Sequence, residues 1–274
     1  MDVVDAWAQI PNERFQRERW LEPLLRWTGR PFPAPPVTPA DLLAAMDEAG
    51  VSAALVAGWS SPSGDLISND EVASALDTAP GRLHGLAAVD LSDPMGAVRE
   101  IRTRARDRRF VGVRIVPWLW RLPPNDRRYY PVYAACVDAG LPFCTQIGHT
   151  GPLRSSETGR PIPYLEDVLL DFPELVVVGG HVGFPWLDEV ASLARKFPNF
   201  HVDTSAYVLH RLPPAFVDWM KGEGRRRTMF GTNFPMLTPA QCLKGLDGLG
   251  LDDATRELFL AGNARRVFRL EEER

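Results

Sequence analysis

The sequence predicts a single (β/α)8 barrel of the TIM type, in the α/β class. Apolar, β-rich runs alternate with helical stretches eight times along 274 residues, and about 250 residues is the usual size of such a barrel. The runs are continuously apolar, as in strands covered on both faces of a parallel sheet. Several end abruptly on polar groups: VVVGGHVGFPW (176–186) at His181, NFHVDTSAY (199–207) at Thr204 and Ser205, and TMFGTNFPM (228–236) at Asn233. Barrels carry their chemistry at strand C-termini. An open doubly wound sheet is the structural alternative, but no GxGxxG, GxxxxGK[ST] or GxSxG motif accompanies these strands.

The first strand is read at 3–8 (VVDAWA). Residues 10–37 follow without clear periodicity but with Trp20, Trp27, Pro31, Pro33, Pro35 and Pro36. They read as a lid-like loop lying across or beside the barrel mouth, since long structured loops in compact domains usually serve function. Thr38-Pro39-Ala40-Asp41 opens a helix with an N-cap, a proline at N1 and an acid at N3, and Gly50 ends it. The second strand is 52–59, and a Ser68–Glu71 capping box starts a helix reaching about Ala79. The third strand is 83–91, with Ser92 capping an Arg-rich helix. The fourth is 110–117, before a helix from about Tyr129 to Gly140. The fifth is 141–149, before a helix at 163–173. The sixth (175–181) precedes a helix at 186–198, and the seventh (200–207) one at 213–224. The eighth is 227–233, and helices near 239–247 and 252–262 close one domain spanning 1–274.

Composition excludes several function classes. Hydrophobic residues make up 45% and charged residues 24%, with a net charge of −4. That balance offers no basic field to nucleic acid and no polybasic patch to a membrane. MDVVDAWAQ shows no cationic and apolar leader pattern, and no apolar run approaches the ~20 residues of a membrane span. A cytoplasmic enzyme acting on a small molecule is the expectation. Cys136, Cys144 and Cys242 are isolated thiols without metal or redox spacing, so they read as reduced and structural.

Collected in order, the strand ends offer Asp5, Trp7 and Gln9; Trp59, Ser60 and Ser61; Asp90; Arg114; Gln146 and His149; His181; Asp203, Thr204, Ser205 and Tyr207; and Asn233. Residues i, i+2 and i+4 of a strand share a face, so Asp5, Trp7 and Gln9 are expected to point inward and Val4, Ala6 and Ala8 toward the helices. His149 and His181 can exchange protons near neutral pH. Asn233 can donate to an oxyanion, and Arg114 can hold a carboxylate or a polarised carbonyl. Trp7, Trp59, Trp118 and Trp120 fall at site-side positions and suit a planar, partly apolar substrate. Each group also has a plainer reading: a histidine at a strand end can be structural, Asn233 can pin a loop, and Arg114 can be paired internally. His84 and His201 begin strands, on the stability face; His210 lies in a loop on the site side. RTRARDRR (102–109) reads as a solvated helix face.

GGHVGFPW, the VDTSAY strand and FGTNFP resemble the amidohydrolase-2 family along essentially the whole chain. That family includes aminocarboxymuconate semialdehyde decarboxylase, resorcylate-type decarboxylases and a dicarboxylate lactonase. The resemblance implies a DxHxH first strand, a metal-binding His after the fifth, a catalytic His after the sixth, and an Asp after the eighth. His149, His181 and Asp5 match that pattern. Trp7 and Gln9 stand in place of the two first-strand histidines, and Asn233 in place of the aspartate. Catalytic zinc wants about three good ligands, so no tightly bound metal is expected; zinc is the alternative cofactor, at a weak site on His149 and His181. The resemblance implies a homodimer. With the strand-end reading, the expected catalytic residues are His181, His149, Asn233 and Asp5, and Arg114, Trp7, Gln9, Trp59, Trp118, Ser205 and Tyr207 are expected to bind substrate. The expected activity is metal-independent hydrolysis of an aromatic or unsaturated carbonyl compound, in one version retro-Claisen cleavage of an aryl β-ketoacyl thioester. Non-oxidative decarboxylation of an aryl or unsaturated acid, and a non-catalytic binding role, are the alternatives.

Overall fold

In the computed structural model, which describes residues 2–270, β1 (Val4–Ala8) and β2 (Ala53–Ala57) are followed by a short hairpin, β3 (Trp59–Ser61) and β4 (Gly64–Ile67). Then come β5 (Leu83–Ala87), β6 (Phe110–Ile115), β7 (Phe143–Gln146), β8 (Val177–Gly180), β9 (Phe200–Asp203) and β10 (Thr228–Met229). The hairpin aside, the strands form one parallel sheet ordered β1-β2-β5-β6-β7-β8-β9-β10. This is the predicted eight-stranded barrel, with helices between successive strands.

The sheet curls until β10 meets β1, and that seam is short because β10 has only two residues. Backbone bonds extend it: Ala6 N donates to Phe230 O (2.9 Å), Asn233 N to Trp7 O (2.8 Å) and Gln9 N to Phe234 O (3.1 Å). The Asp5 carboxylate adds the rest. It accepts from Thr232 N (2.9 Å) and Thr232 Oγ1 (2.5 Å), which serve as extra bonds across the seam, and from Trp7 N (3.0 Å) within β1.

Capping boxes start the helices Pro39–Ala49 and Asn69–Thr78 as expected, and left-handed Gly50 and Gly140 end Pro39–Ala49 and Tyr130–Ala139. Four expectations need correction. Residues 59–67 turn back as the β3–β4 hairpin. The cap after β5 is Asp93, accepting from Gly96 N, in place of Ser92. Segment 10–37 carries two short helices, Glu13–Gln16 and Leu21–Trp27; the second is one two-turn piece without a side-chain cap, too short to show periodicity. The last helical stretch runs on through a π-turn (Leu258–Gly262) to Phe268.

That C-terminal helix seals the barrel floor. Val4, Ala6, Leu55, Leu86, Cys144, Val178 and Met229 form one apolar cluster with Ala264, Val267 and Phe268. Cys144 and Val178 share strand faces with Gln146 and Gly180, so the cluster lies inside. Val4 and Ala6 therefore face inward, contrary to the alternation expected of β1. The cause is a register shift between Asp5 and Ala8. It is a bulge that admits an extra residue and turns Asp5 into the seam.

Trp7 does point inward. A Cβ built on Gly180, across the barrel, would lie 2.4 Å from its ring. Glycine at 180 thus makes room for tryptophan at 7. The three cysteines are buried, and burial pushes each thiol up, leaving it protonated. Among the described residues no helix is long and apolar enough to cross a membrane.

Gly180→Ala is expected to destabilise the fold by about 1–3 kcal/mol in urea denaturation, the usual effect of overpacking. Trp7→Leu in the same chain should recover most of the loss, and strict additivity of the two changes would contradict the packing described.

Candidate active site

A cavity of about 280 Å³ opens at the C-terminal ends of the strands. Of the residues expected there, Trp7, Gln9, Trp59, Trp118, His149, His181, Tyr207 and Asn233 line it. Asp5, Arg114 and Ser205 do not. Asp5 is held in the β1–β10 seam, Arg114 lies beneath Trp7, and Ser205 lies behind His181. Segment 10–37 supplies Phe15, Gln16, Trp20, Leu21, Leu25, Trp27 and Arg30, among others, so it covers the mouth as expected. It is anchored there by rings: Phe15 packs edge-on to Trp59 (5.1 Å between centroids), Trp20 edge-on to Trp118 (4.9 Å), and Trp20 stacks on Trp59 (6.0 Å).

Arg114 is 2% exposed, and its guanidinium carbon lies 4.1 Å from the Trp7 ring centroid. Burial lowers its pKa to about 9, so it stays cationic at neutral pH. Its Nη2 donates to Ala8 O (3.1 Å) and to Gln9 Oε1 (3.2 Å). An arginine can only donate. Gln9 must therefore present its oxygen to Arg114 and its Nε2 to the other side, where it donates to Phe234 O (2.5 Å) and Asn233 Oδ1 (3.0 Å). With Oδ1 accepting, Asn233 keeps Nδ2 for the cavity. The chain Arg114–Gln9–Asn233 thus ends in an amide donor facing the cavity.

A second chain ends in an acceptor. Asp203 is fully buried, and burial pushes its pKa up to about 6 against the donors bonded to it. Its Oδ1 accepts from the Ser205 hydroxyl and from Ser205 N (2.9 Å). Ser205 Oγ lies 2.6 Å from His181 Nδ1. The single hydroxyl proton goes to the carboxylate, so Oγ accepts from Nδ1–H and the Nε2 lone pair of His181 remains for cavity chemistry. Burial, reinforced by the positive charge of Arg114, lowers the His181 pKa to about 3. The ring is therefore neutral, half-buried, and tilted against Trp7 at 4.8 Å.

His149 sits at the exposed rim of the cavity, fixed through its backbone, with N donating to Phe184 O (2.6 Å) and O accepting from Gln146 Nε2 (3.1 Å). Tyr207 lines the wall, and burial raises its pKa. Four of the non-glycine residues with positive φ surround the site: His181 (75°), Val182 (66°), Ala206 (65°) and Asn233 (68°). Such conformations each cost on the order of 1–3 kcal/mol and persist where the surroundings enforce them. Here Val182 N is tied to Asp203 O (3.0 Å), Ala206 N to Thr232 O (3.2 Å) and Asn233 N to Trp7 O. The ends of β8, β9 and β10 are interlocked, and the strain sets the aim of His181 and Asn233.

Asp203 is among the strand-end candidates of the sequence but carries no role there, although its Asp-x-Ser spacing to Ser205 is a usable signal. Sequence reasoning passed over Gln16, Arg30 and Met236, which reach the cavity only through the path of the covering segment and the β10 loop.

A family model described as amidohydrolase matches residues 4–270. The structure is similar to an uncharacterized TIM-barrel protein from Bordetella bronchiseptica (TM-score 0.82, 25% identity, covering 98% of this chain and 99% of that one). It is similar to a probable 2-pyrone-4,6-dicarboxylic acid hydrolase from Acinetobacter baumannii with citric acid bound (0.69, 17%, 98% and 100%). It is also similar to a dihydroxybenzoic acid decarboxylase from Polaromonas sp. JS666 with bound manganese and the inhibitor 2-nitroresorcinol (0.71, 17%, 99% and 98%). No curated protein matches the sequence.

The depressed pKa makes a direct expectation. Imidazole nitrogen NMR shifts should show His181 neutral, with the proton on Nδ1, at pH 5, well below the ordinary histidine midpoint of about 6.5. A ring that protonates near pH 6 would contradict the burial and charge described.

Proposed function

The chain belongs to the amidohydrolase family, and on that premise we propose that it is a metal-independent hydrolase of an aryl-substituted carbonyl compound, specifically one that cleaves an aryl β-ketoacyl thioester by water. The single observation that carries this reading is the pair of opposed chains: one leaves a free acceptor on His181, the other a free donor on Asn233, both in one aromatic cavity.

The metal that the family resemblance implies does not suit these residues. Trp7 and Gln9 stand at the expected ligand positions, and Gln9 Oε1 is already committed to Arg114. None of the cavity-lining residues is a carboxylate, and the guanidinium directly beneath Trp7 opposes a second cation.

In the proposed reaction His181 Nε2 takes a proton from water as the hydroxide adds to the aryl ketone carbon. The carbonyl oxygen becomes an oxyanion and accepts from Asn233 Nδ2. Collapse re-forms the carbonyl and breaks the bond to the α-carbon, whose electron pair leaves as the thioester enolate and takes up the proton held by His181. Water, one carbon–carbon bond and one proton are balanced, giving an aryl carboxylic acid and an acetyl thioester. Ionised Asp203, acting through Ser205, stabilises the imidazolium while it exists. The aromatic walls of Trp7, Trp59, Trp118 and Tyr207 fit the aryl group.

The decarboxylase reading has similar folds behind it, but there the histidine must deliver a proton to a carbanion. A ring held neutral by burial and by Arg114 has none to give at the start.

Incubation with aryl β-ketoacyl thioesters should yield the aryl acid and acetyl thioester, with no carbon dioxide from a parallel panel of hydroxylated aryl acids; the opposite outcome sinks the proposal. His181→Ala should lower kcat by roughly 10²–10⁴ with the fold intact. Asn233→Asp places a negative charge where the oxyanion forms and should lower kcat by at least about 10²; an Asp variant that gains zinc and activity would reverse the reading.

Asp203 sets the pH dependence. Its carboxylate is needed ionised, and its raised pKa is about 6. Activity should therefore be full above that value and fall as pH drops through it, because protonated Asp203 no longer draws the Ser205 hydrogen away from His181. Asp203→Asn should lower the rate and abolish this acid limb; a limb that survives the substitution belongs to another group.

A further inference from the structure

Outside the cavity mouth, on the far side of Trp118, lies a second groove of about 350 Å³ lined by Trp118, Arg121, Leu153, Arg154, Ser155 and Thr158. Trp118 is shared between groove and cavity. The chain passes from Gly151 and Pro152, which line the cavity, directly into Leu153 and Arg154, which line the groove. The two spaces are therefore neighbours, joined at Trp118 and along residues 151–154.

The groove's chemistry differs from that of the cavity. Arg121 and Arg154 are its only charged side chains, and no acid lines it. Among the described residues neither is joined to a carboxylate by an ion pair, whereas the nearby Arg160 is held by Glu189 at 2.8 Å. Glu157 hydrogen-bonds to the Tyr164 hydroxyl (2.9 Å) and does not line the groove. Thr158 Oγ1 is buried at the groove wall without a protein partner among the described residues. Arg121 stands in a left-handed conformation (φ 56°) at the end of the short helix Pro117–Trp120, so the turn that delivers it is a defined one. Leu153, which lines the same groove, is 74% exposed, an apolar surface beside the two cations. On a protein of net charge −4, an unpaired arginine pair with hydroxyls is a local device. Two guanidinium forks and hydroxyl donors are the usual means of holding phosphate.

We infer that this groove binds the phosphate-bearing carrier arm of a thioester whose acyl end occupies the catalytic cavity. The arm's aliphatic portion lies on Leu153 and Trp118, and its phosphate rests between Arg121 and Arg154. The inference rests on the hydrolase reading above for the acyl end and adds the part of the substrate that reading leaves undefined.

The test is a binding measurement that needs no turnover. Coenzyme A, pantetheine and inorganic phosphate are titrated calorimetrically into the native chain and into Arg121→Gln/Arg154→Gln, whose fold is checked by circular dichroism. Coenzyme A should bind at least about tenfold more tightly than either pantetheine or phosphate, and the advantage over pantetheine should vanish in the double variant while pantetheine binding stays unchanged. Equal binding of coenzyme A and pantetheine, an advantage that survives the double substitution, coenzyme A binding no tighter than phosphate alone, or binding of neither thiol would each overturn the proposal. Failure of the reaction would look different: a coenzyme A preference in a chain that releases carbon dioxide refutes the hydrolase reading and leaves the groove in place.

Discussion

The site is organised around a buried cation. Arg114 lies under Trp7 with no carboxylate in ion-pair contact among the described residues, although Asp5 and Asp203 are near enough to favour its charge. A buried charge needs compensation from whatever surrounds it, and here the compensation is a ring face, the Ala8 carbonyl and the amide oxygen of Gln9. Each of these has a consequence. The ring face places Trp7 across the barrel, against Gly180. The amide bond turns Gln9 so that Asn233 must show its nitrogen to the cavity. The charge itself reinforces burial in keeping His181 neutral. One side chain thereby fixes the shape of the cavity, the polarity of its donor and the protonation of its acceptor.

The two hydrogen-bonded chains reach the cavity from opposite sides of the β10 end, which makes the closing seam of the barrel functional as well as structural. Asp5 reinforces that seam through Thr232, and its burial raises its pKa to about 7. Asp203, also raised, is engaged with Ser205 in a comparable i to i+2 bond. Two acids of similar geometry therefore do different work: one stitches β1 to β10, the other backs a histidine. What separates them is whether the next polar group leads into the cavity, as Ser205 leads to His181, or into the wall, as Thr232 does.

Much of the fold was legible because it depends on local chemistry. Capping boxes, C-terminal glycines and continuous apolar runs announced the helices and strands, and the eight-fold alternation announced the barrel. Of the candidate site, His181, Trp59 and Tyr207, read from the ends of apolar runs, line the cavity. The misplacements within β1 have one origin, its bulge, since a single extra residue shifts the face of everything beside it. It moved Asp5 into the seam and Val4 and Ala6 inward. Arg114 was expected to meet substrate because its strand position faces inward, which it does; that Trp7 lies between it and the cavity is a matter of tertiary packing that no local pattern reports. The aromatic anchoring of segment 10–37 is equally non-local, although its tryptophans marked it as more than a tether.

In the proposed reaction water, activated by a neutral His181 without a metal, becomes part of an aryl acid product. That incorporation is tested most directly by following an aryl β-ketoacyl thioester in ¹⁸O-enriched water with chelator-treated protein whose metal content has been measured. The account predicts one heavy oxygen in the carboxylate of the aryl acid and a rate that added zinc or manganese does not raise. Activity that appears only when a divalent metal is restored, or a product that has lost carbon dioxide and gained no heavy oxygen, would contradict it.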